Sequence, residues 1–111
     1  MIQVIRPNAK DDILRQFRYY LLKEAFDTAD SFLAAVDESI STICTMPEMG
    51  APRQFKNPML AGLRFHPVKG FEDILIFYVA HPDALRIVRV LHGKRDLKKI
   101  LELEHEDQMP N

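Results

Sequence analysis

The chain has 111 residues, 47% of them apolar and 28% charged, which fits one globular domain around a single core and excludes disordered, collagen-like and fibrous classes. No run of about 18 apolar residues exists to span a membrane, and the apolar opening before Arg6-Pro7 is too short for a secretory signal, so the expected location is the cytoplasm. The net charge of −1 hides an uneven distribution: residues 1–50 hold 5 basic and 8 acidic side chains, residues 51–99 hold 10 and 4, and residues 100–111 hold none and 4. The cationic character is thus concentrated in the middle and late chain. Cys44 is the only cysteine, which rules out an intramolecular disulfide and a thiolate zinc cage. It falls on the apolar face of an expected helix and reads as a buried filler.

In chain order, Met1 to Arg6 reads as a short strand ending at Pro7. A helix follows, with Asn8 as its expected N-cap and Ala9, Ile13, Phe17, Tyr20 and Glu24 at spacings of three and four. Asp27 and Asp30 open a second helix, in which Phe32, Leu33, Val36, Ile40, Ile43 and Cys44 keep helical spacing up to Pro47. The short connection around Ala25 to Asp27 makes the pair antiparallel. Pro47, Gly50, Pro52, Pro58 and Gly62 predict an irregular loop. Beyond it the period becomes strand-like over Leu63 to Val68, Asp73 to Ala80 and Ala84 to Leu91, with connections short enough for an antiparallel meander. Asp96 is placed to cap a last helix, Leu97 to Leu103, ahead of an acidic tail expected to be mobile. The fold class is therefore α+β: an N-terminal strand, a helical hairpin, a three-stranded antiparallel meander and a short C-terminal helix.

The most distinctive stretch is Leu85-Arg86-Ile87-Val88-Arg89-Val90-Leu91-His92-Gly93-Lys94-Arg95-Asp96, an apolar strand carrying two arginines into a cationic turn. A solvated strand end and an anion-facing site are the two readings of such a run. Taken with the strand and helix pair, the Met46-Pro47-Glu48-Met49-Gly50 loop, Gly62-Leu63-Arg64-Phe65-His66-Pro67-Val68 and Ile74-Leu75-Ile76-Phe77-Tyr78, it resembles the RelE/ParE superfamily of toxin-antitoxin toxins, most closely its ParE branch. The resemblance covers residues 1–103 as a single domain and leaves residues 104–111 outside.

The resemblance implies a bacterial toxin of the plasmid-stabilising kind, neutralised by a small ParD-like antitoxin encoded beside it and acting on DNA gyrase. RelE-like members are instead ribosome-dependent nucleases that cut messenger RNA. Because one fold serves both, the site residues arbitrate. RNA cleavage requires activation of a 2′-hydroxyl, cations around the phosphorane and a proton donor. RelE-like members place lysines on the strand matching Leu63 to Val68, an arginine near the start of the next strand, another in the turn matching Lys94-Arg95, and a tyrosine after it. Here Arg64 and Arg95 stand at or near two of those cationic positions, while Glu72-Asp73 and Leu101 occupy the neighbourhoods of the other arginine and the tyrosine. Carboxylates beside a phosphate gaining charge oppose catalysis, and leucine transfers no proton.

His92 is the remaining acid-base candidate. Strand parity sets Arg89 and His92 on opposite faces unless a bulge near Gly93 resets the register. Arg64 and Arg89 either pair with Glu72 or Asp73 or face a partner's carboxylates. The leading reading is a ParE-like toxin without chemistry of its own, whose partner-binding residues are Arg64, Arg89, His92, Lys94 and Arg95. The alternatives are a RelE-like endoribonuclease using His92, Arg95 and Arg64, and an inactive member that only binds antitoxin. No cofactor, membrane partner or sequence-specific nucleic-acid partner is expected. His66, His81, His92 and His105 lack the spacing of common zinc sites, and the four glycines are too dispersed for a phosphate loop. Phe17, Tyr19 and Tyr20 read as core or edge aromatics, with an exposed tyrosine available to a partner.

Overall fold

In the computed structural model, residues 1–52 and 61–105 are described. The element order is β1 (Ile2–Ile5), α1 (Pro7–Leu22), α2 (Phe26–Thr45), β2 (Ala51–Pro52), β3 (Arg64–Val68), β4 (Phe71–Ala80), β5 (Ala84–His92) and α3 (Leu97–His105). Part of the expected loop, residues 53–60, and the end of the expected tail, residues 106–111, lie outside the described residues.

The strands form one sheet in the order β1-β5-β4-β3-β2. The meander β3-β4-β5 is antiparallel as its short connections require, whereas β1 pairs in parallel with β5, from Ile2 opposite Ala84 to Ile5 opposite Ile87. A parallel pair needs a long crossover between its strands, and everything from α1 to β4 supplies it. The two-residue β2, absent from the sequence reading, continues the opposite edge beside β3.

The start of α1 differs from expectation. Arg6 occupies the N-cap position with extended backbone, Pro7 is the first helical residue, and no side chain caps the end. Proline suits that position because its φ is already near helical and its missing N–H would have no partner there; Asn8 is therefore inside the helix. At the other end of the chain α3 continues to His105, two residues past the expected stop at Leu103.

Both sheet faces are covered. On one, Phe32, Val36, Ile40 and Ile43 of α2 pack with Ala9 of α1 against Ile74, Ile76, Tyr78, Leu85, Ile87 and Val90. On the other, Ile100 and Leu103 of α3 cover Leu63, Phe77, Val79, Val88 and Leu91. This double coverage explains the unbroken apolar run in β4. Cys44 lies half-buried against the helical side.

The facing pairs Phe77–Arg89 and Tyr78–Ile87 leave Val88 as an extra residue in β5. This bulge lies at Val88 rather than near Gly93. It places Ile87 and Val90, three apart, on the helical face and Val88 and Leu91 on the other, as a one-residue insertion in a period-two strand must.

Tyr78 ties the sheet to the loop after α2. Its hydroxyl donates to the Pro47 carbonyl at 2.8 Å and accepts from Gly50 N–H at 2.9 Å. Burial pushes the phenol above its usual pKa, outweighing the Gly50 hydrogen bond and the Arg64 charge, which pull it down. At alkaline pH the unfolded chain therefore loses this proton first. The Tyr78 contribution is complete below about pH 10 and falls as pH rises from there through the folded value. Urea midpoints between about pH 9 and 11 should decline less in Tyr78→Phe than in the wild type; equal slopes would contradict the assignment.

Candidate partner-binding site

The site grows from the place where β1 stops. Beyond Ile87 no strand among the described residues lies beside the outer edge of β5, after Arg6 N–H donates a last ladder bond to the Ile87 carbonyl at 3.1 Å. The chain turns into α1, and Asp12 takes over the edge. Its carboxylate accepts Val90 N–H at 3.0 Å and two bonds from Arg89, Nε at 2.7 Å and Nη2 at 2.8 Å. A side chain 1% exposed thus supplies the acceptor that a neighbouring strand would otherwise provide. The paired geometry, one N–H to each oxygen, is the strong fork-to-carboxylate form. Arg15, mostly exposed, adds an ion pair to the same group at 3.5 Å.

One turn later Gln16 is also buried, and its Oε1 accepts a hydrogen bond from Arg95 Nη2. Tyr19 follows, exposed, with the Arg95 guanidinium 5.3 Å and the Lys23 ammonium 5.8 Å from its ring centre. Asp12, Gln16 and Tyr19 form a polar stripe at spacings of four and three, next to the apolar one. The sequence reading followed only the apolar stripe and missed Asp12 and Gln16. The signal was present as carboxylate and amide one turn apart, but such a stripe is the ordinary exposed face of an amphipathic helix.

The far wall is the turn after β5. His92 N–H donates to Asp96 Oδ2 at 2.9 Å, and His92 Nδ1 accepts from the backbone N–H groups of Lys94 at 3.2 Å and Arg95 at 3.0 Å. An Nδ1 that accepts two bonds carries no proton, so the neutral ring bears it on Nε2. Asp96 stands where the cap of α3 was expected and its carbonyl accepts Ile100 N–H at 3.1 Å, but its carboxylate turns back to His92 and does not cap the helix. Gly93 N–H bonds the Asp73 carbonyl at 2.8 Å. Between helix and turn lies a hollow of about 170 Å³, lined among others by Asp12, Gln16, Tyr19, His92 and Arg95.

The five expected residues therefore divide. His92, Lys94 and Arg95 share the turn, and Arg89, beyond the bulge, reaches the Asp12 carboxylate that borders the same hollow as His92. Arg64 does not join them. It faces Tyr78, four residues along β4 from Ile74, the partner of His92, and its Nη1 donates to the Gly50 carbonyl at 2.8 Å. Of the acids expected to pair with Arg64 and Arg89, Glu72 is used otherwise: its Oε2 accepts Gly70 N–H at 2.7 Å, closing the β3–β4 turn. Leu101, expected near the place of a RelE-like tyrosine, is exposed on α3. Among the described residues no group of three or more His, Cys, Asp or Glu is placed to hold a metal ion.

A second hollow, about 670 Å³, opens beside the Tyr78-anchored loop between Met1, Met46, Met49, His81 and Pro82. Tyr20 packs edge-on against Phe32, so of the two adjacent tyrosines only Tyr19 faces outward.

A family model described as "ParE toxin of type II toxin-antitoxin system, parDE" matches residues 4–97. The chain belongs to the ParE toxin family. Among solved structures this ParE-family chain is similar to one titled "Chromosomal ParDE TA system from P. aeruginosa", with a TM-score of 0.66 and 15% sequence identity over 83% of this chain and 95% of that one. At that identity the likeness shows the shared fold. No curated protein matches the sequence. Among the described residues no helix is long and apolar enough to cross a membrane.

Proposed function

We propose that this ParE-family chain is a cytoplasmic toxin that inhibits DNA gyrase by binding it, performs no chemistry of its own, and is neutralised by a cognate antitoxin. The observation that carries this reading is the employment of Asp12, Asp96 and His92, the carboxylates and the imidazole that line the hollow, in holding the fold. Asp12 completes the edge of β5, Asp96 binds His92 N–H, and His92 Nδ1 binds the turn. A general base must be within reach of the proton it removes and must have a lone pair to receive it; the Nδ1 lone pair of His92 is engaged, the buried Asp12 carboxylate accepts three bonds, and one oxygen of Asp96 is held by His92 N–H. The exposed cations Lys94 and Arg95 remain at the rim, suited to orientation and electrostatic attraction at an interface.

The test is supercoiling by purified gyrase, with programmed ribosomes assayed in parallel. Loss of supercoiling with intact message is expected. Codon-linked cleavage with untouched gyrase would replace this reading by the RelE-like one, and inertness in both assays would favour an antitoxin-binding module. Within the gyrase assay, Arg95→Ala should raise the half-inhibiting concentration at least about tenfold, equivalent to roughly 1.4 kcal/mol of lost interaction. Lys98→Ala on exposed α3 should change it less than about twofold. Equal potency of Arg95→Ala and the wild type would remove the turn from the interface.

A further inference from the structure

Tyr19 carries two cations on one exposed ring, and neither has a carboxylate among the described residues. Lys23, one turn along α1, and Arg95, from the turn after β5, both lie within about 6 Å of the ring centre. Arg95 is steadied by the neutral amide oxygen of Gln16, which takes one of its five donors. The acids lining the same hollow as Tyr19 and Arg95 are committed elsewhere, Asp12 to Arg89, Val90 and Arg15, and Asp96 to His92. An aromatic face attracts a cation without neutralising it. Two cations held on one ring therefore form a preorganised receptor that still lacks its counter-charge, and one of them, Arg95, is fixed by two contacts on α1.

We propose that Arg95, Tyr19 and Lys23 receive adjacent carboxylates from an acidic segment of a protein partner. This rests on the toxin reading, in which that partner is the antitoxin. Occupation of Arg95 by its carboxylates would also cover the residue assigned to gyrase, so binding and neutralisation would coincide. A protein segment fits better than a nucleic-acid strand. The patch offers two cations on a chain of net charge −1, whereas nucleic-acid binding draws its affinity from many phosphate contacts along a continuous basic track.

The experiment titrates the isotope-labelled full chain with acetylated hexaglutamate, hexaglutamine and six-nucleotide oligothymidylate, read by amide and arginine side-chain NMR shifts. Hexaglutamate should shift Tyr19, Lys23 and the amides of Lys94 to Asp96, and hexaglutamine should not. The double variant Arg95→Gln/Lys23→Gln should weaken binding at least tenfold, with Lys23→Gln alone intermediate and Lys10→Gln within twofold of the wild type. Shifts scattered over the surface, an unweakened double variant, or equal binding of oligothymidylate would overturn the proposal. A supercoiling assay on the same samples separates the two readings. Peptide binding at Tyr19 by a chain that leaves gyrase active keeps the receptor and removes the toxin reading, and gyrase inhibition without peptide binding does the reverse.

Discussion

Asp12→Ala should destabilise the domain by about 3 kcal/mol, the low end for removing one partner of a buried ion pair. The substitution takes away the carboxylate that holds two Arg89 donors and leaves Val90 N–H, at the open edge of β5, without its acceptor. Water reaches this place poorly, since the Asp12 and Arg89 side chains are 1% and 17% exposed, so the lost bonds are not replaced at full strength. Asp12→Asn keeps an acceptor but loses the charge, and roughly half the penalty is expected. Urea unfolding measures both, and hydrogen exchange at Val90 should accelerate more than exchange at Ile76 on the adjacent strand. An Asp12→Ala variant within 1 kcal/mol of the wild type would show that the edge of β5 does not depend on this carboxylate.

Gly50→Ala is the second large effect, at about 2 to 3 kcal/mol, the scale of overpacking with a broken buried hydrogen bond. A Cβ at Gly50 would stand 2.3 Å from the Tyr78 hydroxyl and 2.8 Å from the Phe65 carbonyl. The hydroxyl cannot retreat without giving up Pro47 or Gly50, and the carbonyl belongs to β3, which pairs on both sides. Close approach, not backbone conformation, requires glycine here. Tyr78→Phe removes the clashing oxygen together with the two bonds, at about 1 to 2 kcal/mol. The double variant Gly50→Ala/Tyr78→Phe should therefore cost about 1 kcal/mol less than the two single effects combined. Thermal and urea unfolding read the coupling; strict additivity would mean that the clash is relieved through Phe65 instead.

Much of the architecture was legible because it is local. The spacing of Phe32, Val36, Ile40 and Ile43 follows the helical period, the runs around Ile76 and Ile87 follow strand composition, and short connections leave adjacent elements only an antiparallel arrangement. The same locality kept the family-bearing turn His92-Gly93-Lys94-Arg95-Asp96 readable, since its closing bonds join residues at most four apart. Position on the chain also identified His92, Lys94 and Arg95 as neighbours. It said nothing about what His92 Nδ1 was already bound to.

The misjudged residues are those whose partners lie far away in sequence. Asp12 and Arg89 are 77 positions apart, and Tyr78 meets Gly50 across 28. Arg64, grouped with Arg95 by charge, is drawn to the Gly50 carbonyl at the other end of the sheet. The Val88 bulge, which no local pattern announced, reset the facing of the first half of β5, while Arg89 and His92, both after it, keep the opposite parity read from the sequence. By itself the sequence determined the family, the order of the elements and every described element except the two-residue β2, because periodicity and turn chemistry are properties of neighbouring residues. Which charges hold the fold together and which stay open to a partner was decided only by tertiary structure, where burial assigns each buried polar group a specific partner.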